Sequence, residues 1–218
     1  FQGISLETNM RPEDMGMVLE FLKPLASRMK FETVAFRDVP FEVINLCTKF
    51  IEVGSVEDVL IHPYDSKCAH FKPWLNFVQK VRPYRVAYYR LGITSEEEFL
   101  LSIAELVEVI SIGNWTNNGN LELQPLPISV IKQMLSKKCK YLNTHGPIAK
   151  LSLKDVEEIV EFLCHISKKA GLQMPADSDF LDTQIGEYQI ISDNVVGDAE
   201  WEFFIEHLEL EKSVLDVF

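Results

Sequence analysis

Residues 31–61 read FETVAFRDVPFEVINLCTKFIEVGSVEDVLI, a stretch with two short apolar runs and a longer one between them. Residues 31–36 and 56–61 are rich in β-branched and aromatic side chains that alternate with polar ones, as in strands. Residues 41–51 carry apolar side chains three and four positions apart, as in a helix that buries one face. The stretch therefore predicts a strand–helix–strand unit.

This unit recurs along the chain at a nearly constant period. Five evenly spaced residues mark the predicted strands, namely Phe36, Ile61, Tyr88, Ile112 and Tyr141. Their spacing matches the period of about 20–29 residues that is typical of leucine-rich repeats. A strand–helix unit must also stack on its neighbours to cover its apolar faces. We predict an α/β fold, an irregular leucine-rich-repeat-like array of strands and helices with a mainly parallel sheet.

One alternative to the array stays open. A closed α/β sandwich or a doubly wound sheet could have the same regular spacing by coincidence. The asparagine ladder of standard leucine-rich repeats is missing, because other residues follow the predicted strands. Any repeats are therefore irregular.

The regular spacing of the predicted strands ends near Gly171. We therefore divide the chain, as a single domain, into an array and a C-terminal cap. Residues 1–3 look like the remnant of a protease-site tag, and we expect the chain to be cut from a longer parent protein. Residues 4–170 form the predicted array and residues 171–218 an acidic C-terminal cap. Within this cap we predict a loop at 174–179, a strand at 188–192 and an amphipathic capping helix at 199–210, because terminal repeats need a covering element.

Composition and charge narrow the class of protein. The chain has 218 residues, of which 47% are hydrophobic and 25% charged, proportions that exclude a disordered or fibrous chain. No apolar run approaches the ~20 residues of a membrane span, so we expect no membrane. The net charge is −12. Residues 155–218 hold 16 acidic and 3 basic residues, a net charge of −13, so the rest of the chain is nearly neutral.

A basic stripe lies in the near-neutral part of the chain. Residues 67–90 contain six cations and no acid, with tyrosines interleaved: Lys67, Lys72, Lys80, Arg82, Arg85 and Arg90, with Tyr84, Tyr88 and Tyr89. The stripe predicts a docking surface for an acidic protein segment, and RNA binding is the alternative. The overall negative charge argues against nucleic acid. A solvated helix face with core tyrosines would give the same sequence.

Residues 113–120 form a polar loop with a single aromatic residue. Trp115 lies in this loop directly after a predicted strand, beside Asn114. An aromatic side chain on a polar rim is typical of an interface anchor. Packing of the same side chain on the next helix is the equal alternative.

Chemistry-bearing residues are sparse. His62, Cys68 and His70 are weak candidates for zinc ligands, and with Asp65 they could form an enzyme site, but their spacing matches no familiar zinc motif. Cys164 and His165 are neighbours on a predicted helix and point about 100° apart, so they form no nucleophile–base pair. No phosphate-binding glycine motif occurs. We predict a protein that is not an enzyme and needs no cofactor.

The four cysteines are far apart and form no pair motif. They are Cys47, Cys68, Cys139 and Cys164. Without a secretory signal we expect them to be reduced and mostly buried, Cys164 included. This usage predicts the cytoplasm, with the nucleus as the alternative.

Three segments resemble one protein family. They are VISIGNW (109–115), LSKKCKYL (135–142) and LSLKDVEEIVEFL (151–163). In this order they resemble the F-box-associated region of nematode F-box proteins. The resemblance lies within residues 109–163 and implies a substrate-recruiting, leucine-rich-repeat-like domain. It also implies that an F-box outside this chain docks a Skp-type adaptor of a cullin ubiquitin ligase.

The resulting hypothesis is a protein-interaction module that binds through its strand face, its loops and the basic stripe. The predicted partner-binding residues are Trp115, Arg85, Arg90, Tyr88, Asn114, Lys80 and Arg82. RNA binding through the stripe and an enzyme or metal site at residues 62–70 are the alternatives.

Overall fold

The computed structural model describes residues 3–6, 11–24, 30–52, 54–63, 71–90, 95–114, 126–145, 151–176, 183–185, 187–194 and 201–207. Six helices lie within these ranges: α1 Pro12–Leu22, α2 Phe41–Phe50, α3 Lys72–Val81, α4 Glu96–Ile103, α5 Ile128–Ser136 and α6 Leu153–His165. Seven strands alternate with them: β1 Gly3–Leu6, β2 Phe31–Arg37, β3 Val56–His62, β4 Arg85–Arg90, β5 Val109–Asn114, β6 Tyr141–His145 and β7 Gly171–Ala176. Three further strands follow: β8 Thr183–Ile185, β9 Tyr188–Asn194 and β10 Trp201–His207.

All ten strands form one sheet, and its first seven strands are in chain order. Each strand from β1 to β6 pairs in parallel with the next one. The sheet then continues through β10, β9 and β8, which pair antiparallel. The prediction of an α/β fold with a mainly parallel sheet is confirmed.

The helices form a layer against one face of this sheet. Each helix contacts the next from α1 to α6, as expected when parallel strands are joined by crossover helices. Aromatic contacts join the layers: the Phe36 ring on β2 lies 4.9 Å from that of Phe77 on α3, and Tyr88 on β4 lies 5.3 Å from Phe99 on α4. The other face of the sheet therefore points away from the helix layer.

Burial repeats in the same pattern from strand to strand. In each of β2 to β6, or directly before it, buried residues occupy a first position and those three and five residues later: Phe31, Val34, Phe36; Val56, Val59, Ile61; Pro83, Val86, Tyr88; Val107, Ile110, Ile112; and Cys139, Leu142, Thr144. The register aligns the members at the second and third positions across the sheet. These rows face the helices and contribute the strand side of the core. The residue of β6 that aligns with the strand marker Ile112 is Thr144. The marker in β6 is therefore three residues beyond the predicted Tyr141.

Local sequence explains why α6 begins where it does. The Ser152 hydroxyl accepts a hydrogen bond from the Asp155 backbone N–H, and the Asp155 carboxylate accepts one from the Ser152 N–H at 2.8 Å. This reciprocal arrangement satisfies two backbone donors that have no partner inside the helix. Ser152 is therefore the N-cap of α6.

Lysine side chains join the ends of successive helices. Lys80 of α3 donates to the Thr48 and Lys49 carbonyls at the end of α2. Lys137, after α5, donates to the Leu101 carbonyl in α4 at 2.9 Å, and Lys168, after α6, donates to the Lys137 carbonyl. A cation at a helix C-terminus satisfies open carbonyls and opposes the negative end of the helix dipole. These bonds help to hold the stacked units together.

The C-terminal part differs from the prediction. The capping helix expected at 199–210 is wrong, because residues 201–207 form β10, which hydrogen-bonds to β7 on one side and β9 on the other. Residues 174–176, expected in a loop, belong to β7. Long-range pairing with two strands overrides the helical spacing of Trp201, Phe204 and Ile205. The strand predicted at 188–192 is present within β9.

Two predicted boundaries fall inside the sheet. Gly3, assigned to a tag remnant, is the first residue of β1. Gly171, assigned to the start of the cap, begins β7, which pairs both with β6 and with β10. Across the ranges given above, no helix combines the length and apolar character that crossing a bilayer requires.

Candidate functional site

The face of β2, β3 and β4 that points away from the helices carries three rows of side chains. Alternation along each strand places these residues opposite the core rows. We call the nine residues the open face: Thr33, Asp58 and Arg85; Ala35, Leu60 and Ala87; and Arg37, His62 and Tyr89. Eight of them are at least partly exposed, and only the small Ala35 is buried. The open face is therefore an accessible surface built on rigid strands.

The row at the carboxyl ends of the strands is basic and aromatic. Arg37 is exposed and lies beside His62 in the strand register. The His62 and Tyr89 rings meet edge to face with centroids 4.9 Å apart. On the next strand stands Gly113, where an added Cβ would lie 2.7 Å from the Tyr89 ring. The missing side chain at Gly113 lets the Tyr89 ring lie over β5.

Electrostatics keep His62 neutral near pH 7. Burial lowers the pKa of its imidazole below the ordinary value, and the positive charge of Arg37 lowers it further, while Asp38 acts in the opposite direction. The imidazole is therefore protonated only at more acidic pH. Acid adds a second positive charge beside Arg37.

The row at the amino ends of the strands contains an internal ion pair. Arg85 donates a hydrogen bond to the Asp58 carboxylate from the neighbouring strand. Since the two charges offset each other, the open face has a net charge of +1 with Arg37 included and His62 neutral. This is a positive surface on a chain whose net charge is −12.

Small apolar side chains form the middle row. Leu60 lies between Ala35 and Ala87 on the neighbouring strands. We call this low, apolar middle row the trough; Leu60 and Ala87 in it are partly exposed, whereas Ala35 is buried. An apolar group could lie in this trough with little loss of hydrogen bonds.

Two predicted partner-binding residues lie in the interior instead. Tyr88 is 0% exposed and Arg90 7% exposed. The Glu96 carboxylate, at the start of α4, accepts hydrogen bonds from the Tyr88 hydroxyl at 2.9 Å and from Arg90 Nε at 2.8 Å. The buried ion pair between Arg90 and Glu96 thus fixes the end of β4 to the start of α4. The expectation of an exposed position is wrong for both residues.

The other stripe residues are dispersed. Lys80 holds the end of α2, as described above, and Arg85 lies on the open face. Arg82 is exposed and caps α3 in the left-handed conformation, with φ at 50°. With Tyr84 it lines an open groove of about 600 Å³ at the amino ends of β2 to β4, whose charged residues are of both signs. Of the described stripe residues, the structure therefore brings Arg85 and Tyr89 to the open face.

Several predicted site residues are not described. Trp115, Lys67, Asp65, Cys68 and His70 lie outside the described residues, and Asn114 is described only as the last residue of β5. Of the candidate zinc ligands only His62 can be placed, on the open face. The described ranges contain no cluster of three or more His, Cys, Asp or Glu side chains that could hold a metal ion.

The cysteines divide into two environments. Cys47 and Cys139 are buried, as expected, and burial raises the pKa of each thiol to about 12. Such thiols are inert near neutral pH. Cys164 is exposed on α6, so the prediction that it is buried is wrong. The apolar face of α6 is formed by Val156, Ile159, Val160 and Leu163, and Cys164 lies beside that face.

Arg37, Leu60 and Tyr89 were not predicted from the sequence to be members of one surface. A signal was available, because Arg37, His62 and Tyr89 each directly follow a strand marker and therefore recur at the period of the units. Comparisons of the chain with protein-family models, curated proteins and solved structures found no match.

Proposed function

We propose that the chain is a protein-interaction module, the substrate-recruiting region of an F-box-type ubiquitin ligase subunit, and that the open face holds its protein partner. The observation that carries the proposal is this accessible, net-positive sheet face beside a complete helix layer. An exposed face that combines apolar, aromatic and charged side chains suits protein recognition. No covalent chemistry is required of it.

The leucine-rich-repeat-like character of the array has support in the burial pattern. Buried residues at a first position and three and five residues later match the L-x-x-L-x-L part of the leucine-rich-repeat consensus. Strands β1 to β7 also follow one another in chain order, with the helices in one layer. The asparagine ladder is absent, so the units are irregular members of this class.

The ligase assignment rests on the resemblance of residues 109–115, 135–142 and 151–163 to F-box-associated regions. In the fold the described residues of these segments lie on or next to β5, the end of α5 with the start of β6, and α6. They are consecutive parts of the array and pack on each other. A Skp-type adaptor would bind a separate F-box of the parent protein. This role would be carried out in the cytoplasm or nucleus.

The internal contacts of three cations of the basic stripe weaken the RNA alternative. Lys80 and Arg90 are committed to contacts within the chain, and Arg85 is paired with Asp58. A nucleic-acid strand needs several available cations along its phosphates. The open face offers Arg37 as its cation outside an ion pair, which suits a peptide better.

The proposal is tested by changing the open face in the tagged full-length parent protein in its source cells. Leu60→Arg places a long charged side chain in the trough, and Asn76→Arg makes an equal charge change on the exposed side of α3. We expect a Skp-type adaptor to co-purify with all three forms. We expect at least one other protein to be ubiquitylated and bound by the wild type and by Asn76→Arg, but not by Leu60→Arg.

Two results would overturn the proposal. One is an identical set of bound proteins from Leu60→Arg and wild type, provided both unfold at the same urea concentration. The other is the absence of any Skp-type adaptor from the full-length parent.

A further inference from the structure

We infer that the open face recognises an extended peptide in which an apolar side chain and a carboxylate are two residues apart. This inference rests on the proposed function and adds the chemical class of the segment that is recruited. The trough around Leu60 takes the apolar side chain, and the exposed Arg37, with His62 beside it, takes the carboxylate.

Charge complementarity selects an acidic ligand. Arg37 is exposed and forms no ion pair with any of the described residues. The open face contains one carboxylate, Asp58, which is paired with Arg85. A guanidinium binds a carboxylate through two parallel hydrogen bonds, whereas a basic segment would meet only repulsion at Arg37. The position therefore favours an anionic side chain.

The spacing of the rows sets the spacing within the ligand. Leu60 and His62 are two residues apart on β3, and Ala35 and Arg37 are two apart on β2. Two residues of a strand span about 6.6 Å, and alternate side chains of an extended peptide have the same separation. A peptide lying along the strands thus places an apolar residue in the trough and an acidic one, two positions away, at the cation. Either chain direction gives this match.

Tyr89 closes one side of this site. Its ring contacts that of His62 and lies over Gly113, so it stands beside the position of the carboxylate. An aromatic ring there excludes water from one side of the Arg37–carboxylate contact, which strengthens a charged hydrogen bond. The asymmetric environment favours a single short anionic group over an extended polyanion.

The protonation of His62 provides a second, independent readout. Among the described residues, the charged or titratable groups around its ring are Arg37 and Asp38 on β2 and Tyr89 on β4. Since its pKa is lowered, His62 gains a proton only as the pH falls below the ordinary histidine range, while a glutamate in the ligand stays ionised above about pH 4.3. Affinity should therefore rise as the pH falls below about 6.5, as long as the pH stays above about 4.3.

The test uses three fluorescein-labelled, amidated peptides titrated with the purified chain. The first contains Glu-Ser-Leu-Ser-Glu, which offers the motif in both directions; the second has glutamine for both glutamates; the third has serine for leucine. We expect the first to bind at least about tenfold more tightly than either other peptide, a difference of about 1.4 kcal/mol. The preference should vanish in Arg37→Glu and persist in Arg11→Glu, a matched change on the exposed N-cap of α1. The rise in affinity at acidic pH should be absent from His62→Gln.

Equal binding of the glutamate and glutamine peptides would overturn the inference, and so would an equal loss in Arg37→Glu and Arg11→Glu. These results are distinct from failure of the proposed function. If Leu60→Arg still loses its cellular partner while the peptides show no glutamate preference, the open face recruits protein through a different chemistry.

Discussion

The ring of Tyr89 on β4 occupies the space in which any side chain at Gly113 on β5 would stand. A Cβ atom at position 113 would lie 2.7 Å from Cε1 and 2.8 Å from Cδ1 of the ring, well inside normal contact distance. A glycine on one strand therefore fixes the position of an aromatic side chain on its neighbour. The same ring contacts that of His62. A substitution at Gly113 should therefore disturb both aromatic rings of the row at the carboxyl ends of the strands.

Gly113→Ala should displace the Tyr89 ring and destabilise the chain. Overpacking of this kind costs about 1–3 kcal/mol, which exceeds the ~0.5–1 kcal/mol that alanine regains through backbone entropy. Urea unfolding monitored by circular dichroism measures the difference. Gly16→Ala on α1, where an added Cβ meets nothing within 4 Å, should instead be neutral or stabilising. Equal or higher stability of Gly113→Ala would contradict the contact.

Glu96→Gln should strongly destabilise the fold. The carboxylate of Glu96 neutralises the buried Arg90 guanidinium and accepts the Tyr88 hydroxyl hydrogen bond. Removing one member of a buried ion pair costs about 3–5 kcal/mol. Glu97→Gln, a change of equal charge in the same first turn but at an exposed position, should cost under about 1 kcal/mol. The free energies of unfolding compare the two, and similar values would show that the buried network contributes nothing special.

Lys80→Met should weaken the connection between α2 and α3. The ammonium group donates to two carbonyls at the end of α2, and methionine keeps the aliphatic stem while losing these bonds. We expect a loss of about 1–2 kcal/mol in the free energy of unfolding. The matched change Lys72→Met, at the exposed start of α3, should cost nothing, since a cation at a helix N-terminus is unfavourable. The prediction fails if Lys80→Met unfolds at the wild-type urea concentration.

Ser152→Ala should cost about 1 kcal/mol at neutral pH, the usual value for a lost N-cap. Hydrogen bonds from the Ser152 hydroxyl and N–H lower the pKa of Asp155 below its ordinary 3.8. A lowered carboxyl pKa stabilises the folded state above the unfolded pKa, and this stabilisation is lost as the pH falls through the folded one. The difference between wild type and variant should therefore shrink below about pH 4. A constant difference between pH 7 and pH 2.5, measured by urea unfolding, would contradict the role of Asp155.

The array could be predicted because its information is local and repeated. The apolar spacing of residues 31–61 gives β2, α2 and β3 to within one residue, and the period then fixes the neighbours. The C-terminal strands could not be predicted in the same way. Residues 201–207 satisfy a helical pattern, and only their pairing with β7 and β9, which no local spacing reveals, makes them a strand.

The site was harder to predict because exposure is decided by partners distant in sequence. Lys80 and Arg90 look like surface cations until the Thr48 carbonyl and the Glu96 carboxylate are placed beside them. Conversely, Arg37 and Leu60 attract no notice in the sequence, since they become neighbours only through the parallel register. A search for residues that directly follow each strand marker would have found Arg37, His62 and Tyr89 together.

The most direct test of the open face is the dissociation constant for the cellular partner that the Leu60 experiment identifies, measured with purified proteins by isothermal titration calorimetry. We predict that Leu60→Arg raises the constant about 100-fold, equivalent to about 2.7 kcal/mol, while Asn76→Arg changes it by less than about twofold. Unchanged affinity in Leu60→Arg, or a larger loss in Asn76→Arg, would place the binding surface on the helix layer and contradict the function proposed for this face.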